Sequence, residues 1–242
     1  MPLIATDGLE SLLGPPQMHK DPEVEDSPAT LLKAMENEHC AGADANVDFV
    51  TTNGTTTASA LEWEIVTAPK KEKVKEGSYP ERVGMRETQP EYCRKPTSLQ
   101  VMLEEMETRA NVHLRKANHG EMIVEELIAG RLYTGPMYMK YNAVLRAKSG
   151  NSHLMQQCKV LCKGNDYPTS IHATNSCVLK LSKLTKAVKV WRGIKDAKLP
   201  KEFWVPNEMG VRGGIEYGFS STTTDKSQAL ACVREREWRR DS

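Results

Sequence analysis

Apolar and polar residues first settle into a helical period after Pro96. In SLQVMLEEMETRA, Leu99, Met102, Leu103 and Met106 fall at i, i+3, i+4 and i+7, with Thr97 or Ser98 placed to cap, which predicts a helix. A second helical run, EMIVEELIAGRLY, leads into GPMYMKYNAVLRAKSG, where Met137, Tyr141, Val144 and Leu145 share one face. Tyr138 and Asn142, four apart, share a neighbouring face. After the turn residues Asp166 to Ser170, Thr169 or Ser170 is placed to cap a third helix through IHATNSCVLKLSKLTK.

The period then shortens. AVKVWRGI and IEYGFSSTTT alternate as strands on either side of the glycine-rich GVRGG, and TDKSQALAC reads as a helix start capped by Thr224 or Asp225. Helices followed by strands predict an α+β domain over residues 95–242. Upstream, residues 1–45 are acidic and hold no lasting period, which predicts an unstructured leader. Residues 46–94 form a third region: Asn53-Gly54 suits a tight hairpin turn, LEWEIV alternates like an edge strand, and PKKEKVKEG reads as a solvated linker.

Composition narrows the function classes. The hydrophobic share is 39% and the net charge +1, so no global field points to nucleic acid or to an acidic membrane as partner. Ten acids against Lys20 and Lys33 in residues 1–50 leave the rest of the chain basic enough to meet an anionic ligand such as a pyrophosphate. The first residues lack a basic, apolar leader and no run of 18 apolar residues occurs, so the expected location is the cytoplasm. Cys40, Cys93, Cys158, Cys162, Cys177 and Cys232 show no framework spacing and read as reduced thiols. His153, Cys158, Cys162 and His172 lack the paired spacing of a zinc site, so no metal is expected. The basic residues at every third position from Lys180 to Lys201 drift around any helix and read as a solvated face.

Two features carry chemistry. Arg192 sits within the apolar stretch VWRGI, where a guanidinium needs an anion, and Gly193 beside it permits close approach. Its partner is either a ligand or a carboxylate of the chain such as Glu216. The five hydroxyl residues Ser220 to Thr224 pose a similar choice between a polar strand end and a ligand-binding strand. In an extended segment Phe219, Ser221 and Thr223 share one face, and Ser220, Thr222 and Thr224 the other.

The order LYTGPMYMKYNAVLR, VWRGI, GFSSTTTDK resembles the R-S-E class of arginine-specific mono-ADP-ribosyltransferases, the NAD(P)+:arginine ADP-ribosyltransferases, over roughly residues 98–231. That resemblance implies an ADP-ribosyltransferase fold, in which N-terminal helices lead into a mixed or antiparallel β core, that uses NAD+, or NADP+, as substrate and an arginine on a protein as acceptor. Arg192 matches the arginine that holds the NAD phosphates, with Gly193 its companion. Ser221, Thr222 and Thr223 match the Ser-Thr-Ser strand, threonine standing in the last place, with Phe219 beside them. Tyr133, Tyr138 and Asn142 match the residues lining the nicotinamide-ribose end. Arg192 and Ser221 are thereby implied as catalytic.

The implied reaction breaks the nicotinamide glycosidic bond, and the family's Glu-x-Glu carboxylate stabilises the positive charge that develops on the ribose. Glu235-Arg236-Glu237 satisfies that pattern literally but begins only 14 residues after Ser221 in a charged run, so the catalytic strand is expected to lie beyond this chain's C-terminus. The implied function is mono-ADP-ribosylation of arginine. The alternatives are a catalytically inactive NAD-binding or interaction protein and an NAD glycohydrolase.

Overall fold

The computed structural model describes residues 3–4, 6–40, 99–194 and 199–234. Two compact units divide the chain, Met1–Thr185 and Lys186–Ser242. The boundary therefore falls inside the region 95–242 that the pattern reads as one domain. The expected hairpin, edge strand and linker of residues 46–94 lie outside the described residues, as does the Thr97/Ser98 cap.

The first unit is helical: α1 (Asp7–Leu13), α2 (Leu31–Cys40), α3 (Leu99–Glu105), α4 (Val112–Lys116), α5 (Val124–Leu132), α6 (Tyr138–Ala147), α7 (Ser152–Cys162) and α8 (Pro168–Ser182). A π-helical segment, Met106–Asn111, joins α3 to α4, and a second, Tyr133–Met137, joins α5 to α6. The core forms where α5 and α8 meet the leader. Met35, Met102, Ile128, Ala129, Leu132 and Ala173 pack together, and Leu114, Met122 and Cys177 form a smaller cluster. Gly130 lies where α5 and α8 approach closely, and a Cβ there would stand 3.1 Å from the Cys177 Sγ, tight enough that the sulfur must give by a few tenths of an ångström.

The acidic leader, expected to be unstructured, is a packed part of this unit. Ala34, Met35 and His39 of α2 are buried. Ile4 and residues 6–17 are tied to α8 as a strap: the Ile4 amide donates to the Ser176 hydroxyl (2.7 Å), the His172 ring meets the Gly14 carbonyl (2.8 Å), and the Gln17 amide donates to the Thr169 hydroxyl (3.0 Å). Composition misses this because the strap's backbone is satisfied by side chains more than 150 residues away, and little apolar surface is needed to seat it.

The cap of α8 is also nonlocal. Pro168 opens the helix, and neither Thr169 nor Ser170 caps it. Instead the Glu38 carboxylate accepts the Thr169 amide (2.7 Å), the Ser170 amide (3.0 Å) and the Ser170 hydroxyl (2.5 Å), placing a negative charge at the helix N-terminus. Glu126 anchors the other end of the α5–α8 contact. Fully buried, it accepts the Ser176 hydroxyl and pairs with Lys180 at 2.8 Å, whose ammonium also donates to the Glu121 carbonyl.

The second unit overturns the α+β expectation. Its described residues hold a 3-10 turn at Lys201–Phe203 and the helix α9 (Lys226–Arg234), and no strand or sheet occurs anywhere among the described residues. The alternating segments meet in a single antiparallel bridge, Trp191 with Thr223. Alternation yields a strand only where a ladder continues and one face is covered. Here Val188, Val190 and Ile194 remain 61%, 46% and 53% exposed, so neither condition holds.

Candidate functional site

The bridge organises the second unit's share of the implied site. The Trp191 amide donates to the Thr223 carbonyl at 2.7 Å, and the Thr223 amide returns the bond to Trp191 at 2.9 Å. In the chain Arg192 follows Trp191 and Thr222 precedes Thr223, so both adjoin the bridge, and no further pair of the two segments is bridged among the described residues. Two segments some 30 residues apart in sequence, the arginine-glycine pair and the hydroxyl run, thus become neighbours.

Arg192 has the partner that the sequence offers as its second option. Its Nη2 lies 3.8 Å from the Glu216 Oε2, with a third of its side chain in solvent. That pair is loose and exposed, so it contributes little to stability and leaves room for a competing anion. The premise of a buried guanidinium is corrected, since Val190 and Ile194 beside it face solvent.

The hydroxyls divide in two. Thr223 is spent on the turn into α9: its Oγ1 donates to the Gln228 Oε1 (3.0 Å) and accepts the Asp225 amide (3.1 Å). Asp225 caps α9, accepting the Ser227 amide at 2.8 Å and hydroxyl at 2.6 Å, which holds its carboxyl below the usual range. Ser221 and Thr222 are exposed, Gly193 is exposed, and Phe219 is half-buried. Around Trp191 the ammoniums of Lys189 and Lys226 stand 4.6 Å and 5.0 Å from the indole ring, adding positive charge beside the bridge.

Tyr133, Tyr138 and Asn142 lie in the first unit, where the structure brings them together. Gly135 breaks the helix between them, with φ −94° and ψ −168°. It must, because a residue before proline is driven out of the helical region by the ring that follows. The break turns α6 so that the Tyr133 and Tyr138 rings meet edge to face, centroids 6.4 Å apart at 71°. Asn142 is buried and its Nδ2 lies 3.4 Å from the Tyr133 hydroxyl. Tyr138 is 38% exposed, so this aromatic corner has one ring at the surface and a buried amide behind it. Such a corner can receive a flat ring or a ribose hydroxyl.

Glu235 and Glu237 lie outside the described residues. The His153 Nε2 bonds the Gln157 side chain at 2.8 Å, and the His172 Nε2 bonds the Gly14 carbonyl at 2.8 Å. No group of metal-binding side chains occurs among the described residues, and no described helix is long and apolar enough to cross a membrane. Burial pushes the Cys162 and Cys177 thiols up to about 12.

A second polar centre escapes pattern reading. His39, Tyr141 and Tyr167 are buried around one another, with ring centroids 5.4–6.0 Å apart, and the Lys140 ammonium lies 3.5 Å from the Tyr167 hydroxyl. Burial pushes the Lys140 ammonium down and the Tyr141 phenol well up. The helical period assigns Tyr141 to a core face, but its partners come from the leader and from the turn before α8, which no local pattern marks.

No family model matches the chain, and neither a curated protein nor a solved structure is detectably similar to it.

Proposed function

We propose that the chain binds NAD+ and transfers its ADP-ribose to an arginine side chain of a protein. The observation that supports this reading is the reciprocal Trp191–Thr223 pair, which joins the segment of Arg192 to the hydroxyl run next to Thr222. A guanidinium meets a pyrophosphate in a planar, two-pronged geometry that a lysine cannot reproduce, and neighbouring hydroxyls donate to phosphate or ribose oxygens. Arg192 suits a pyrophosphate because it is accessible and its contact with Glu216 is long enough to exchange for an anion. Within the first unit, taken by itself, Tyr133, Tyr138 and Asn142 form a ring edge and an amide of the kind that the resemblance assigns to the nicotinamide-ribose end.

The test is mass spectrometry of the chain incubated with NAD+ and a small guanidinium acceptor, with Arg192→Ala alongside. The expected result is an ADP-ribosylated acceptor with the unsubstituted chain and none with the variant. A folded chain that neither binds NAD+ in a calorimetric titration nor labels the acceptor overturns the reading. Release of nicotinamide without a labelled acceptor makes it a glycohydrolase.

One observation favours a second reading, NAD binding without transfer. Glu216 already offers a carboxylate to Arg192, so the chain satisfies its own guanidinium. On this reading Glu216→Gln tightens NAD+ binding several-fold, and no product forms with either protein.

A further inference from the structure

Helix α2 is fastened at its C-terminal end by two adjacent residues. Glu38 closes the N-terminus of α8 through the Thr169 and Ser170 amides and the Ser170 hydroxyl, and its own carbonyl accepts the Asn165 side-chain amide at 2.6 Å. His39 is fully buried. Its Nδ1 lies 2.7 Å from the Met35 carbonyl oxygen and its Nε2 2.6 Å from the Tyr141 hydroxyl. A carbonyl can only accept, so Nδ1 carries the ring proton, and in the neutral imidazole Nε2 accepts from the phenol.

We propose that Glu38 and His39 form an acid-sensitive latch that holds α2 against α6 and α8, and that protonation of His39 releases it. The geometry serves the neutral ring: a proton on Nε2 would face the phenol O–H, which must then turn away. Four groups face the imidazole. Glu38 comes from α2 itself, Lys140 and Tyr141 from α6, and Tyr167 from the residue before α8. Desolvation is the largest influence and lowers the imidazole below its ordinary value. The Met35 carbonyl and the Glu38 charge oppose that shift, and the Lys140 charge adds to it.

A released His39 titrates near its ordinary value and a docked one lower, so the docked helix binds fewer protons. Docking is complete above about pH 6.5 and weakens as pH falls toward the docked value. Tyr141 belongs to the helix that carries Tyr138 and Asn142, so the latch couples the position of the leader to that aromatic corner.

Hydrogen-exchange mass spectrometry of the whole chain tests this at about pH 7.5, 6.5 and 5.5, with protection factors corrected for intrinsic exchange. The expected result is that protection of residues 31–40 falls by up to about tenfold per pH unit below about pH 6.5, while residues 152–162 hold theirs. In His39→Gln, which cannot gain charge, the fall disappears. Tyr141→Phe lowers protection of residues 31–40 already at about pH 7.5 and keeps a fall with acid, and it stands in if the glutamine variant does not fold. Flat protection in the unsubstituted chain overturns the latch. So does an equal fall in His39→Gln, or a parallel fall across residues 152–162, which would make acid a global denaturant.

Discussion

The first unit hides Leu114, Ile128, Tyr141 and Ile171 almost entirely, at 1% exposure or less, whereas the second leaves Met209 and Ile215 at 82% and 83%. Among residues 186–194 and 199–230 Ala229 is the one buried apolar side chain. The hydrophobic patterns of the two are of similar quality, so the difference lies in what each pattern needs to close. A helix satisfies its own backbone and can then bury a stripe against any complementary neighbour. An alternating segment satisfies neither backbone nor face until other strands arrive. The first unit also buries polar groups that find partners, Glu126 with Ser176 and Lys180 and His39 with Tyr141, while the half-buried Glu38 closes the α8 N-terminus. In the second unit the corresponding contacts, such as Arg192 with Glu216, stay at the surface.

That contrast can be pressed from both sides. The largest effect expected is on thiol chemistry in the first unit. With Cys177 pushed up to about 12, its thiolate fraction near pH 8 is about a thousandfold below that of a free cysteine, so alkylation there should await unfolding. Peptide mapping after iodoacetamide, with and without urea, reads this directly, and rapid labelling of the native chain at Cys177 would break the comparison.

Next in size is Lys180→Met. It leaves the Glu126 carboxylate buried without its cation, and urea denaturation followed by helical circular dichroism should report a loss of about 3–5 kcal/mol. Adding Glu126→Leu should recover a good part of that loss, because the isolated charge, more than the missing contact, is what destabilises. Gly130→Ala sets the crowding of its Cβ against the Cys177 sulfur, 3.1 Å away, against the roughly 1 kcal/mol that alanine gains inside a helix, so the net change by the same measurement should stay within about 1 kcal/mol.

The smallest effect is expected in the second unit. Ile215→Ser removes an 83% exposed side chain and should shift the unfolding free energy by less than about 0.5 kcal/mol. A loss of 2 kcal/mol or more (about the range of a buried aliphatic side chain) would mean that Ile215 is covered in solution, and the contrast between the units would fail on that side.

The positions of α3, α5, α6 and α8 are legible in the chain because a 3.6-residue period and a proline at a first turn are local signals. The break at Gly135 is equally local, since Pro136 alone dictates the backbone before it. Two alternating runs foreshadow the bridge between Trp191 and Thr223, but not that pairing stops there, because a ladder's length depends on neighbours that the runs do not encode. The leader misleads for a related reason. Its acidic composition describes the surface it shows to water, whereas Glu38 and His39 act on groups about 100 or more residues away. Local patterns are set by the geometry of a few consecutive residues, and so the sequence carries them openly. The partners of Glu38, His39, Lys180 and Arg192 are chosen by how the helices and loops come together in space, and only folding brings the matching donor or acceptor within reach.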